Sequence, residues 1–146
     1  MDETPAAIAK RSEARPPKGL FVVAAFGFAG TGIALLTATL LLWPGSRFDW
    51  LWRLNPSAHT GFAALGRGAA ILLFGAGAAT FAAARGLMLG RTWGWRLAVA
   101  IFAVNVAGDL VRLLMGDWLK GAAGLLIGGS FLLYLTRPLV RRYFAR

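Results

Sequence analysis

Apolar residues run along this chain in four long blocks, and the breaks between them predict where helices begin and end. The first block, residues 20–43, carries no charge and would be roughly 36 Å long as a helix, enough to cross a bilayer. Pro44 and Gly45 end it. The second uncharged block, 68–84, lies between Arg67 and Arg85. Its helix is expected to begin earlier, near Pro56, and to end near Gly90, with the spanning part at about 66–89. Both arginines can reach the surfaces along their aliphatic stems. In the third block only 97–108 is free of charge, which is too short to span a bilayer. A helix over about 94–115, bracketed by Trp93, Trp95 and Trp118, must therefore carry Asp109 and Arg112 at or inside the hydrocarbon edge. The fourth block predicts a span over 118–136, closed by Arg137-Pro138 and followed by a basic tail with Arg141, Arg142 and Arg146.

Two segments break this pattern. Residues 1–18 hold Pro5, Pro16, Pro17 and many charges, and read as a polar tail outside the folded domain at 19–146. The first long apolar run starts only near Leu20, is longer than a signal-peptide core and lacks a clear small-residue cleavage site after it, so the N-terminus does not read as a secretory signal. Between the first two spans, Phe48, Leu51 and Trp52 fall at i, i+3 and i+4, and Ser46 stands three residues before Asp49, the spacing of a capping box. A short amphipathic helix over about 46–54, lying at a lipid–water boundary among Trp43, Trp50 and Trp52, is the expected element. Asn55 can cap a following helix with Pro56 at its first position.

Composition turns this periodicity into a fold class. The 146 residues are 58% hydrophobic and 15% charged, against about 25% charged in ordinary soluble domains. Such a chain cannot cover a water-facing surface with polar side chains. The fold class expected is an all-α integral membrane protein, with four transmembrane helices in a small bundle plus one short interfacial helix. The net charge of +10 would suggest nucleic acid in a soluble protein, but here the basic residues flank apolar blocks, and no nucleic-acid partner is expected. Eleven of the 16 basic residues (Lys10, Arg11, Arg15, Lys18, Arg85, Arg91, Arg96, Arg137, Arg141, Arg142 and Arg146) fall on the side shared by the two termini. Arg47, Arg53, Arg67, Arg112 and Lys120 fall on the other. The excess places both termini in the cytoplasm of a multi-pass inner-membrane protein. The chain has no cysteine and one histidine, which excludes disulfides, thiol nucleophiles, cysteine-held iron–sulfur clusters and a bis-histidine haem within it.

Little catalytic chemistry is legible. No P-loop, GxSxG or HExxH occurs, and no GxGxxG follows a predicted strand. No catalytic residue, metal site or cofactor is evident. Asn105, Asp109 and Arg112, at i, i+4 and i+7, share one face of the third span. Asp109 lies roughly 9 Å inside the end of that helix. A charge at this depth costs a few kcal/mol and demands a partner, so the trio is either a structural ion pair or a site for a proton, an ion or a polar headgroup. His59 and Asp117 should lie on the same side, close enough to suggest a weak metal site or proton relay, although loop hydrogen bonding explains His59 as well. Small residues recur at helical spacing: Gly27, Thr31, Ala34 and Ala38; Gly75, Ala79, Ala82 and Gly86; Gly121, Gly124 and Gly128. These are expected helix-packing faces, either within the bundle or toward another subunit.

The stretches PGSRFDWLWRLNPSAH, WGWRLAVAIFAVNVAGDL and YLTRPLVRRYF resemble a group of small bacterial four-span membrane proteins to which no activity is assigned. The resemblance implies bacterial origin and four spans, and brings no catalytic residues. The function expected is that of a non-catalytic accessory or scaffold subunit of a larger membrane complex, of respiratory or photosynthetic type by analogy. Its partners would be membrane lipids and other membrane subunits, or further copies of itself. Two other readings stay open. One is an oligomeric transporter or channel using the Asn105–Asp109–Arg112 face. The other is a protein binding a quinone, a lipid or a pigment.

Overall fold

Four helices long and apolar enough to cross a membrane dominate the computed structural model, which describes residues 16–47, 49–54 and 56–145. They are α1 (Leu20–Leu42), α3 (Arg67–Met88), α4 (Thr92–Leu114) and α5 (Trp118–Thr136). Between α1 and α3 lie a 3₁₀ helix, Asp49–Leu54, and a short helix α2 (Pro56–Leu65); α6 (Pro138–Phe144) follows α5. Among the described residues there is no strand. The expected tail at 1–15, Phe48, the Asn55 cap and Arg146 lie outside the described residues.

Glycine and proline set the boundaries. Chain direction changes at Gly45, Gly66, Gly90 and Gly116, the four glycines with positive φ. At Gly90 the turn is a Schellman motif: its N–H donates to Leu87 O at 3.1 Å, and the Arg91 N–H donates to Gly86 O at 2.9 Å. The same pair of bonds recurs at Gly116, from its own N–H to Leu113 O and from the Asp117 N–H to Arg112 O. The helix expected to run unbroken from near Pro56 to Gly90 is instead split into α2 and α3, because Gly66 adopts φ 55°, ψ −138°, a conformation closed to other residues. The short helix expected over about 46–54 is a 3₁₀ helix, Asp49–Leu54. The Asp49 carboxylate accepts from the Gly45 N–H at 2.6 Å and from the Ser46 hydroxyl at 3.4 Å, so Ser46 and Asp49 meet, but without the reciprocal side-chain-to-N–H bonds of the expected capping box.

Neighbouring helices run antiparallel and touch where side chains are smallest. Along α1 and α3, Gly27 lies against Ala84, and Ala34 and Leu35 lie against Gly77. Between these contacts the buried Thr31 hydroxyl donates to Gly27 O at 3.0 Å in its own helix and to Gly77 O at 3.4 Å across the interface. Thr31→Val should cost less than about 1 kcal/mol, because the cross-helix bond is long and such bonds in membrane bundles average well under that value. Reversible unfolding of the purified protein in a sodium dodecyl sulfate titration measures it, and a loss of several kcal/mol would show that the bond to Gly77 anchors α1. At the α3–α4 turn, Gly86 and Gly94 meet backbone to backbone. Along α4 and α5, Gly121 faces Leu113, Gly124 faces Asp109 and Gly128 faces Val106.

The core gathers at the end where α1 begins and α3 finishes. Leu20, Val23, Ala83, Leu87, Ala98, Phe102, Leu135, Val140 and Phe144 form one buried cluster. Phe26, Phe102 and Phe131 pack ring against ring above it, at centroid distances of 4.9–6.2 Å. α6 is the unexpected part of this core. Its sequence reads as a basic tail, yet Val140 and Phe144 point inward and are each 1% exposed, and Phe144 stacks on Trp95 at 6.3 Å. Polar ties hold the same end: Trp95 Nε1 donates to Leu135 O at 2.9 Å, Thr92 Oγ1 to Phe144 O at 2.6 Å, and the Gly19 N–H to the Tyr134 hydroxyl at 3.0 Å. Elsewhere the long helices leave much apolar surface uncovered, as at Val104, Leu114, Met115 and Leu119.

Candidate functional site

Asp109 is a charged side chain half-buried among the helices, and its position follows from glycines on the facing helix. A Cβ at Gly121 would stand 2.7 Å from Leu113 N and 2.9 Å from Asp109 O, so α4 and α5 approach here at backbone distance. Gly124 is next along that face, and the Asp109 carboxylate occupies the space where its side chain would be. The glycine stripe of the fourth span is thus the seat of the acidic residue of the third. The Asp109 side chain is 19% exposed and pairs loosely with Arg112, whose Nη1 is 3.7 Å away and whose own side chain is 64% exposed.

Asn105 parts company with this pair. No hydrogen bond joins it to Asp109, and its exposed amide lines a cavity of about 180 Å³ between α1, α3 and α4, with Phe26, Gly30, Thr80 and Phe102. Thr80 turns its hydroxyl back to Ala76 O at 2.8 Å, which leaves the Asn105 amide as the available polar group in that cleft. Thr37, Thr39, Ser130 and Thr136 likewise donate to carbonyls one turn back in their own helices. A hydroxyl bonded in this way is a poor nucleophile, because no base faces it.

His59 lies on α2, exposed, with its ring 4.7 Å from that of Trp52 on the 3₁₀ helix. The two line an open cavity of about 250 Å³ with Asp49 and Arg67. Asp117 pairs with Lys120 at 3.9 Å near the α4–α5 turn. Among the described residues no three histidine or acidic side chains gather, so His59, Asp109 and Asp117 do not form the ligand set considered from the sequence. They are held by separate neighbours: a tryptophan ring, an arginine with a glycine seat, and a lysine.

Of the expected packing residues, Gly27, Thr31 and Ala34 face α3, and Gly124 and Gly128 face α4. Ala79 is half-buried. Gly75 faces open space, and Gly77 takes the contact with α1. The register that packs is Ala70, Gly77 and Ala84, all buried and seven residues apart. That heptad of small residues is present in the sequence, but it competes there with the equally small set at Gly75, Ala79 and Ala82. No known family, curated protein or solved structure matches the chain.

Proposed function

We propose that this chain is a non-catalytic subunit of a bacterial inner membrane, spanning it four times with both termini in the cytoplasm and binding a partner helix along an outward face of α4. The observation that carries this reading is what remains after the bundle has packed. The stripes at Gly27–Thr31–Ala34 and Gly121–Gly124–Gly128 are occupied by contacts within the chain. Yet Ala100, Ala103, Ala107 and Gly108 form a second small-residue face on α4 that none of the described residues covers, and Gly75 on α3 is open too. In lipid, helices associate where small side chains allow close approach, so a free face of this kind favours a partner or a second copy. The distribution of charge supports the orientation. Lys18, Arg85, Arg91, Arg96, Arg137, Arg141 and Arg142 fall at one end, and the described acidic residues Asp49, Asp109 and Asp117 all fall at the other.

Two measurements test this. Gly108→Leu should not destabilise the fold, since a side chain there meets nothing and helix propensity gains up to about 1 kcal/mol, and should abolish co-migration of partner or second copy in mild detergent. A wild-type chain that runs as a lone monomer, with no cross-linked neighbour in native membranes, would remove the subunit reading. A C-terminal alkaline phosphatase fusion should be inactive; activity would place the C-terminus in the periplasm and reverse the topology.

A second reading has one observation in its favour. The cleft containing Asn105 is apolar but for that amide, which suits the head of a lipid-soluble ligand such as a quinone. Its volume of about 180 Å³ is below that of ordinary ligand pockets, so it would take a ring and not a whole molecule. Transport through the Asn105–Asp109–Arg112 face gains nothing from Asp109 being seated on a glycine and separated from Asn105.

A further inference from the structure

The basic residues at the α6 end do more than tip a charge count. Arg96 near the start of α4 and Arg141 and Arg142 on α6 converge on one open cavity of about 600 Å³, with Thr92, Trp95 and Phe144 among its other lining residues. A topology signal requires only positive charge on one side, and Arg85, Arg91 and Arg137 supply that without lining the cavity. That three arginines from two helices line one cavity is a separate fact. No acidic side chain or hydrogen-bond acceptor among the described residues holds any of the three. Like charges brought together without an internal counterion call for an external anion.

The frame around them is fixed. α6 is anchored through Val140 and Phe144, which leaves Arg141 and Arg142 on its outer face. Trp95 and Thr92 turn their polar atoms inward, to Leu135 O and Phe144 O, so the arginines are the cavity's unsatisfied donors. Guanidinium groups bind phosphate oxygens in a two-pronged geometry, and basic pockets at the cytoplasmic ends of membrane helices suit anionic headgroups. We propose that Arg96, Arg141 and Arg142 form a phosphate-binding site occupied by the headgroup of an anionic phospholipid. The phosphate chemistry stands on the cavity alone; the lipid as its source rests on the membrane reading above, which sets this cavity at the depth of the cytoplasmic headgroups.

The full chain, delipidated in a neutral detergent, is titrated with phosphatidylglycerol or phosphatidylcholine and the bound lipid counted by native mass spectrometry. Phosphatidylglycerol should be retained preferentially. Each Arg→Gln change at 96, 141 or 142 should weaken retention about fivefold, and all three together about a hundredfold. The triple variant R47Q/R85Q/R91Q, of the same net charge, should bind as the wild type does. Equal losses in the two triple variants, or no preference for phosphatidylglycerol, would overturn the site as a lipid site. Triple lysine replacement at 96, 141 and 142 guards against misfolding: it should keep part of the preference, and complete retention would refute the two-pronged geometry. A separate arm uses inorganic phosphate alone. Stabilisation by millimolar phosphate in wild type and not in the glutamine triple, without lipid preference, would keep the phosphate site and assign it to a soluble source. Extraction of the chain from membranes by alkaline carbonate would defeat the membrane reading independently, leaving the phosphate arm to decide the site.

Discussion

Gly94→Val is expected to abolish the packed arrangement of α3 and α4. A Cβ at 94 would overlap the Gly86 backbone and reach Leu87 N at 2.9 Å, and a Cβ at 86 would meet Gly94 Cα and the Trp93 ring in return. Backbone atoms cannot rotate aside, so the two helices must separate. Separation would pull apart the cluster of Ala83, Leu87, Ala98 and Phe102 and the Trp95 bond to Leu135 O. Overpacking a core commonly costs 1–3 kcal/mol, and with backbone on both sides the cost should reach the order of 3 kcal/mol or more. Replacing a glycine in the first turn of α4 regains less than about 1 kcal/mol in helix propensity, which is too little to offset this. The readout is the monodisperse fraction by size exclusion, together with the thermal midpoint by circular dichroism. Gly32→Val, where a side chain also meets open space, is the control. Equal midpoints for Gly94→Val and wild type would mean that α3 and α4 do not touch as described.

The second large effect is a coupling between Asp109 and Gly124. Gly124→Ala places a methyl group where the Asp109 carboxylate sits, so either the acid must swing out or α5 must retreat. The single change should cost about 1–3 kcal/mol. Asp109→Ala empties the same space, so the double variant should recover most of the loss, with a coupling energy above about 1 kcal/mol. Arg112→Gln should cost little, on the order of 0.5 kcal/mol, since that side chain is 64% exposed and its pairing is long. A sodium dodecyl sulfate unfolding series on the four variants of the cycle measures this. Strict additivity of Asp109→Ala and Gly124→Ala would show that the carboxylate does not occupy the glycine seat. On sequence spacing alone Arg112 is the natural partner of Asp109; the structure shifts the larger share of the constraint to a residue on another helix.

That shift shows where local information ends. The number of long helices was legible because it depends on neighbouring residues: four apolar blocks, the third interrupted by Asp109 and Arg112, with breaks at Pro44-Gly45, Gly90 and Arg137-Pro138. The meeting of Ser46 and Asp49 was legible for the same reason. The break at Gly66 was not. A glycine inside an apolar run is compatible with an unbroken helix, and only the direction α3 takes against α1 demands the conformation that Gly66 adopts.

Local sequence thus sets which long segments are helical and apolar, and where charge and aromatic residues flank them. The tertiary structure alone decided which face of each helix meets which neighbour. In soluble helices a polar face marks the outside, but α1 is apolar on every side and α3 is alanine and glycine throughout much of its length. Hydrophobicity then carries no phase, and Gly75 and Gly77 are equivalent until Leu35 and Ala34 arrive against one of them. The same holds for the basic tail, which becomes α6 because Trp95 and Leu135 provide a surface for Val140 and Phe144. It holds also for Arg96, which lies more than forty residues from Arg141 and Arg142 along the chain and shares one cavity with them only because α4 and α6 are packed on a common core. Contacts of that range are set by steric fit between helices, and no short window of sequence contains both partners.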